Sequence, residues 1–321
     1  MARKIIGMIT SYPGVEQCDW SWHQSPNSFG VWNNIQVMAK HPDPDFLLLY
    51  NFAQLPPRKH NKLIFKNINY PEKLEEYQRN LEQKFRGVPK ERRIFLWREP
   101  PLEYLNNYNR TCYQWAQEYC GYVSAADDAA PISEYMPAIW YHLNTFRDFN
   151  ELPPPEKIKL CSWITSGISR SENHLKRLEF LRLIQSSGSE IDYYGRNMPD
   201  WSRSSGYVAN KWYGMAPYYY NLTIENFADN DWYLSEKMWD ALLAWCLPIY
   251  YGGTAADKVL PPGSFLRIPS LDEKGIAYIK EIIATPDAWH QAKNAIAEAR
   301  QLVLHKLNLV NWLSEYVEKC S

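Results

Sequence analysis

The chain has 321 residues, 45% of them hydrophobic, and a formal net charge of -1 from 35 basic and 36 acidic side chains. That length supplies core for two domains rather than one, and interspersed, near-neutral charge excludes the one-signed field that draws in nucleic acid or anionic lipid. No stretch approaches the roughly 18 apolar residues of a membrane span, and the apolar run at residues 5–9 is too brief for a signal h-region; a cytoplasmic chain is expected, with peripheral membrane contact left open.

Taken in order, the first half alternates between strand and helix patterns: strand over 4–10, helix 28–39, strand 46–51, helix 70–86, strand 92–97, helix 102–118 and strand 121–125. Such alternation predicts a parallel sheet with crossover helices. In the 70–86 segment Leu74, Tyr77, Leu81 and Phe85 recur at helical spacing among charged residues, the pattern of a surface helix with one apolar stripe. Asn150-Glu-Leu-Pro-Pro-Pro155 then breaks the pattern, because consecutive prolines remove backbone donors and favour an extended link. After it come strand 158–165, helix 173–185, strand 191–194, strand 219–225, helix 235–245, strand 248–251, and helices over 272–284 and 289–316. The organisation expected is an N-terminal Rossmann-like domain over 1–152, a second over 156–290, and a C-terminal helix over 291–321 that packs back on the first domain or serves a partner. Two such halves leave a cleft, and open α/β sheets bind ligands outside the carboxyl ends of their strands.

The six cysteines, Cys18, Cys112, Cys120, Cys161, Cys246 and Cys320, form no C-x-x-C pair and read as reduced, mostly buried side chains. The seven histidines show no pattern. No G-x-G-x-x-G follows an early strand, which disfavours a dinucleotide enzyme. The 14 Trp and 23 Tyr suit stacking on sugar rings, although each serves equally as core, and Asp19-Trp-Ser-Trp-His23 fits either use.

Chemistry concentrates in Tyr220-Asn-Leu-Thr-Ile-Glu-Asn226 and Asp231-Trp-Tyr-Leu-Ser-Glu-Lys237, which read as strand, polar loop and helix start, followed by Pro248 and a strand ending in Gly252-Gly253. Ser235 is placed as an N-cap. The unpaired N–H groups of that first turn, with Lys237 in it, suit a diphosphate. Glu236 is placed to accept from ribose hydroxyls, with Asn226 and Tyr233 in the same crevice. In the first half, Glu99 ends a strand beside Pro100 and Pro101, a carboxylate on a rigid turn as a general base requires.

These stretches resemble the donor motif of glycosyltransferase family 10, the α-1,3/1,4-fucosyltransferases: aromatic-x-Leu-x-Phe-Glu-Asn, a short loop, then Tyr-Val/Ile-Thr-Glu-Lys and an Ala-Leu helix. Ile224 replaces Phe, Ser235 replaces Thr, and Trp232 is inserted before Tyr233. Lys258-Val-Leu-Pro-Pro-Gly-Ser-Phe-Leu-Arg-Ile268, Cys120-Gly-Tyr-Val-Ser124 and Tyr135-Met-Pro-Ala-Ile-Trp-Tyr141 are similar to further family segments, so the likeness runs from about Arg92 to about Ser270. It implies a GT-B-like fold, two Rossmann-like domains facing a central cleft, and an inverting transfer of L-fucose from GDP-fucose to a hydroxyl of a glycan acceptor. It implies Glu99 as the base, with Arg98 where the family has Gly; a guanidinium there would keep Glu99 ionised. It implies Arg177 as a phosphate ligand, with Gly167 where the family usually has Asn, and Tyr194 or Arg196 bordering guanine.

The resemblance further implies that Lys237 and Arg177, not a required metal, neutralise the diphosphate, so no cofactor is expected. A divalent ion on Asp229 and Asp231 stays an alternative, while Asp43 and Asp45 read as turn residues. Two other functions remain open: transfer from another nucleotide-sugar, such as GDP-mannose or a heptose donor, and a non-catalytic carbohydrate-binding protein. Acceptor identity and linkage position are not legible.

Overall fold

The computed structural model describes residues 2–12, 20–57 and 70–320; Cys18 and Asp19 lie outside the described residues. Two sheets carry the chain. The first is built from β1 (Lys4–Thr10), α1 (Trp20–His23), β2 (Val31–Trp32), β3 (Ile35–Val37), β4 (Phe46–Tyr50), α2 (Tyr70–Phe85), β5 (Arg93–Trp97), α3 (Asn106–Tyr119), β6 (Tyr122–Ala125), β7 (Ile132–Ser133) and α4 (Phe146–Glu151). Its order is β2-β3-β1-β4-β5-β6-β7, parallel except for the β2–β3 pair. The apolar run Phe-Leu-Leu-Leu-Tyr of β4 is buried at every position, as a central parallel strand covered on both faces must be.

The second sheet comes from β8 (Lys159–Ser166), α5 (Glu172–Ser186), β9 (Ile191–Arg196), β10 (Tyr218–Ile224), α6 (Glu236–Leu243), β11 (Leu247–Tyr251), α7 (Ala255–Val259), β12 (Leu266–Arg267) and α8 (Glu273–Ile282), in the all-parallel order β12-β11-β10-β8-β9. Strand order reverses in each sheet: β1 lies between β3 and β4, and β8 between β9 and β10. Crossovers leave such a point in opposite directions and open a crevice at the strands' carboxyl ends.

One expected element is absent. Residues 28–39 form no helix but a 3-10 turn, Ser28–Gly30, and the β2–β3 hairpin, which pairs with β1. Phe29, Gly30 and Asn33 have φ of 61°, 69° and 45°, left-handed values that interrupt a helix at three places. Trp32, Ile35 and Val37 are buried along the pairing edge.

Past α8 the chain forms α9 (Asp287–Gln301), a π turn at Leu302–Lys306, and α10 (Leu309–Lys319). The turn crosses to the first sheet: Ala138 N–H donates to Leu307 O at 2.6 Å, Leu309 N–H to Ala138 O at 2.9 Å, and Ser314 Oγ meets Asn34 Oδ1 at 2.7 Å. α10 lies on β2 and β3 and buries Leu309, Val310, Leu313 and Val317. A buried apolar cluster accordingly runs unbroken from Ile6 and Ile35 through Trp140 and Leu304 to Trp239 and Ile249, holding the two sheets as one body.

Candidate active site

The first sheet's switch point fixes one carboxylate. Tyr12, Asn51 and Glu99 follow the carboxyl ends of β1, β4 and β5. Tyr12 Oη donates to Glu99 Oε1 at 2.7 Å, and Asn51 Nδ2 donates to the same oxygen at 3.2 Å and also to Tyr12 Oη. Asn51 Oδ1 in turn accepts from the Arg98 N–H. Burial first, and the Glu99 carboxylate second, push the Tyr12 phenol up, so it remains a donor. One oxygen of Glu99 is thus clamped while the carboxylate stays half-exposed to the cleft. Arg98 does not act on Glu99 as expected: its guanidinium donates to Tyr50 Oη at 2.7 Å and Pro137 O at 2.9 Å. Both residues line the cleft just past β5, with the Arg98 guanidinium turned to Tyr50 and Pro137.

The second switch point supplies the cations. Arg177, only 3% exposed, donates to Asn226 Oδ1 after β10 and to Ser166 O at 2.9 Å at the end of β8, bridging the two strand ends where they diverge. It is therefore a buried brace behind Asn226 and not a surface charge. Burial lowers its pKa to about 10. Glu225, 4% exposed, accepts from Ser235 N–H at 2.9 Å, Ser235 Oγ at 2.7 Å and Lys237 Nζ at 3.1 Å. Ser235 caps α6, and Glu225 pins both cap and lysine. Burial alone would raise the Glu236 carboxyl, but Lys237, Lys211 and Arg98 hold it down at about 2, so it is ionised and purely an acceptor.

These half-sites face each other across a cleft of about 310 Å³ lined by Glu99 and Tyr141 on one side and by Asn226, Tyr233, Glu236 and Lys237 on the other. A second cavity of about 540 Å³ opens beyond Glu236, at the carboxyl ends of β8 and β9, between Thr165, Arg196, Tyr207 and Lys211. The Arg196 guanidinium lies over the Tyr207 ring, 4.4 Å from its centroid. Tyr194 reaches neither space; its hydroxyl is bonded to Tyr218 Oη at 2.7 Å, which donates to Asp192 at 2.6 Å. At Gly167 a Cβ would lie 1.6 Å from Asn197 O, so the loops after β8 and β9 leave no room for the Asn found there in the family it resembles.

Sequence reasoning missed Tyr12, Asn51, Tyr141, Arg170, His174 and Lys211. Arg170 lines the cleft, and the buried His174 accompanies it there from the first turn of α5, its Nδ1 2.8 Å from Ser171 Oγ. Lys211 joins Asp240 at 2.6 Å and Glu236 at 3.7 Å. The one available signal was the polar cluster Ser-Arg-Ser-Glu-Asn-His174, which runs from the loop after β8 into the first turn of α5 and resembles an ordinary helix start. Burial first, then Arg177, Lys237 and Arg170, lowers the His174 pKa to about 4. Because this lies below the unfolded value of about 6.5, the unfolded chain takes the proton first, and the stabilising effect is complete above pH 6.5 and lost as pH falls toward 4. Denaturant midpoints at pH 7.5 and pH 5 should therefore differ less in His174→Gln than in the parent protein; an equal difference in the two contradicts this placement.

Asp231 is engaged by Lys258 at 3.0 Å and by Thr254, and Asp45 binds Lys4 at 3.0 Å and the Ile5 N–H at 2.8 Å. Asp45 is therefore a brace on β1 and not a solvated turn residue. Among the described residues no group of three or more His, Cys, Asp or Glu side chains is arranged to hold a metal.

Residues 154–291 match the family model described as glycosyltransferase family 10 (fucosyltransferase) C-term. An alpha-(1,3)-fucosyltransferase C of Drosophila melanogaster is 31% identical over 138 residues, which are 41% of this chain and 30% of that protein. The chain thus spans under a third of that curated relative's length. Among solved structures, Anabaena HepE in complex with UDP and glucose is similar at a TM-score of 0.55 and 12% identity, covering 99% of this chain and 100% of that one. An alpha-glucosyltransferase in complex with UDP and a 13-mer DNA is similar at a TM-score of 0.54 and 10% identity, with 99% of each chain covered. At these identities the likeness bears on fold alone, and it bears out the GT-B-like arrangement of two Rossmann-type sheets.

Proposed function

We propose that this chain is an inverting glycosyltransferase of family 10, the family whose model residues 154–291 match, and that it moves L-fucose from GDP-fucose to a hydroxyl of a glycan acceptor. One observation carries the reading: a clamped carboxylate from one sheet, Glu99, and a cationic helix start from the other, Lys237 with Asn226 and Glu236, line the same cleft. In this reading the first sheet's domain, 1–152, binds the acceptor and the second, 156–290, the donor.

The diphosphate lies against the first turn of α6, with Lys237 beside it and Arg177 holding Asn226 in place. The ribose meets ionised Glu236, and the base enters the cavity at Arg196 and Tyr207. Tyr194 has no direct part. Glu99 takes the proton of the acceptor hydroxyl as its oxygen bonds to the sugar C1; the bond from C1 to the diphosphate oxygen breaks on the opposite face, and GDP leaves. Negative charge grows on that leaving oxygen in the transition state, where Lys237 stabilises it differentially. The acid–base chemistry needs only this chain's side chains, and the charge on the diphosphate has cationic partners in Lys237 and Arg170.

Calorimetric titration with GDP, UDP and ADP, all in chelator, tests the donor half. GDP is expected to bind best and to do so without metal. Equal affinity for the three, or preference for UDP, removes GDP-fucose as donor, and no nucleotide binding removes the transferase.

A further inference from the structure

A third cavity, of about 320 Å³, adjoins the catalytic cleft and shares Tyr12 and Tyr141 with it. Trp20, Tyr50, Ile139, Trp140 and Leu143 line the rest of it, together with His23, Gln24 and His142. The Trp20 and Tyr12 rings lie 6.3 and 6.1 Å from that of Tyr50, so the aromatic surface continues to the tyrosine that donates to Glu99.

The wall's polar atoms are mostly committed to protein. Gln24 donates to Trp140 O at 2.9 Å and accepts from Trp140 N–H at 3.3 Å; Tyr50 Oη accepts from Arg98. Trp140 Nε1 donates to Asn144 O at 3.1 Å, and His142 Nε2 is 2.8 Å from Asp240 O. Among the described residues, the wall's buried atoms without a partner are Trp20 Nε1 and His142 Nδ1, and the exposed His23 and Tyr141 add a ring nitrogen pair and a hydroxyl. Set against a wall of Trp20, Tyr50, Ile139, Trp140 and Leu143, these few polar atoms favour an apolar group over a hydroxylated pyranose, most of whose hydroxyls would lose water without replacement. An apolar group loses nothing on entering and gains by leaving water.

Resting on the transferase reading, we propose that this cavity receives an apolar substituent of the acceptor, an aryl or alkyl aglycone close to the hydroxyl that Glu99 deprotonates. The continuity of the wall through Tyr12 selects this occupant: whatever fills the cavity stands next to the base, and the donor occupies the opposite, charged side. The acceptor is therefore a glycoside carrying a hydrophobic group and not a bare sugar.

GDP-saturated protein is titrated with 4-nitrophenyl β-D-galactopyranoside, methyl β-D-galactopyranoside and lactose, and the series is repeated with Trp20→Ala and Ile139→Asp. The aryl glycoside is expected to bind at least about tenfold more tightly than the methyl glycoside, a modest return for burying one ring. Both variants should lose that preference while GDP affinity stays unchanged, the unchanged affinity showing that they are folded. Equal affinity for aryl and methyl glycosides, or no binding of either, overturns the proposal. Lactose binding as tightly as the aryl glycoside also overturns it, in favour of a sugar stacked on the rings. An aryl preference that survives both variants shows adhesion elsewhere and overturns it too. Loss of GDP binding with the aryl preference intact removes the transferase and keeps the cavity, so the two readings fail separately.

Discussion

Glu99→Gln is expected to lower kcat by about two to four orders of magnitude, the usual contribution of a positioned general base, with GDP affinity unchanged. The substitution is close to isosteric, and the Gln carbonyl oxygen can still accept from Tyr12 Oη and Asn51 Nδ2. Geometry is therefore kept and only basicity removed. Glu99 contacts none of the residues that hold the second sheet's cations together, which is why nucleotide binding should not register the change. Tyr12→Phe removes one arm of the clamp and leaves Asn51, so its effect on kcat should be smaller. Steady-state turnover beside GDP titration separates these outcomes; a Glu99→Gln protein with parental kcat takes the base role away from this residue.

Lys237→Met has two consequences that can be measured apart. It removes the cation at the helix start, and GDP affinity should fall at least about tenfold, since a charge-assisted bond to phosphate carries more than about 1.4 kcal/mol. It also leaves Glu225, with a fully buried carboxylate, without its counter-ion. Breaking a buried pair from one side costs about 3 kcal/mol or more, and the two bonds from Ser235 remain to hold the loss toward the lower end. The double variant Glu225→Gln, Lys237→Met neutralises both and should recover most of that stability without recovering GDP binding. If the double variant regains GDP binding, Lys237 serves the fold and not the nucleotide.

Much of this architecture was legible because its strands are long apolar runs punctuated by polar loops. Phe46–Tyr50 and Tyr218–Ile224 announce central parallel strands, and the Ser-Glu-Lys that opens α6 announces a capped helix start. The 28–39 segment was not legible because Trp32, Ile35 and Met38 fit a helical spacing as well as Ile35 and Val37 fit a strand. Pairing with β1 decides between them, and pairing is not local. Tyr12 and Asn51 belong to no motif; they meet Glu99 because the sheet order puts β1, β4 and β5 side by side, an arrangement only the topology sets. Tyr194 illustrates the converse. Neighbouring tyrosines on a strand face opposite sides, and nothing in Tyr193-Tyr194-Gly195-Arg196 says which ring looks toward the ligand. Arg98 and Arg177 were both read as charges free to act, whereas the structure commits one to Tyr50 and Pro137 and the other to Asn226 and Ser166.

The most direct test of the account is to incubate the protein with GDP-β-L-fucose and a panel of aryl glycosides in chelator, and to follow the anomeric proton signals by NMR. The account predicts release of GDP with a matching new α-fucoside signal, both lost in Glu99→Gln. A β-linked product would contradict inversion, and a protein that leaves GDP-fucose intact while consuming a different nucleotide-sugar would contradict the proposed donor.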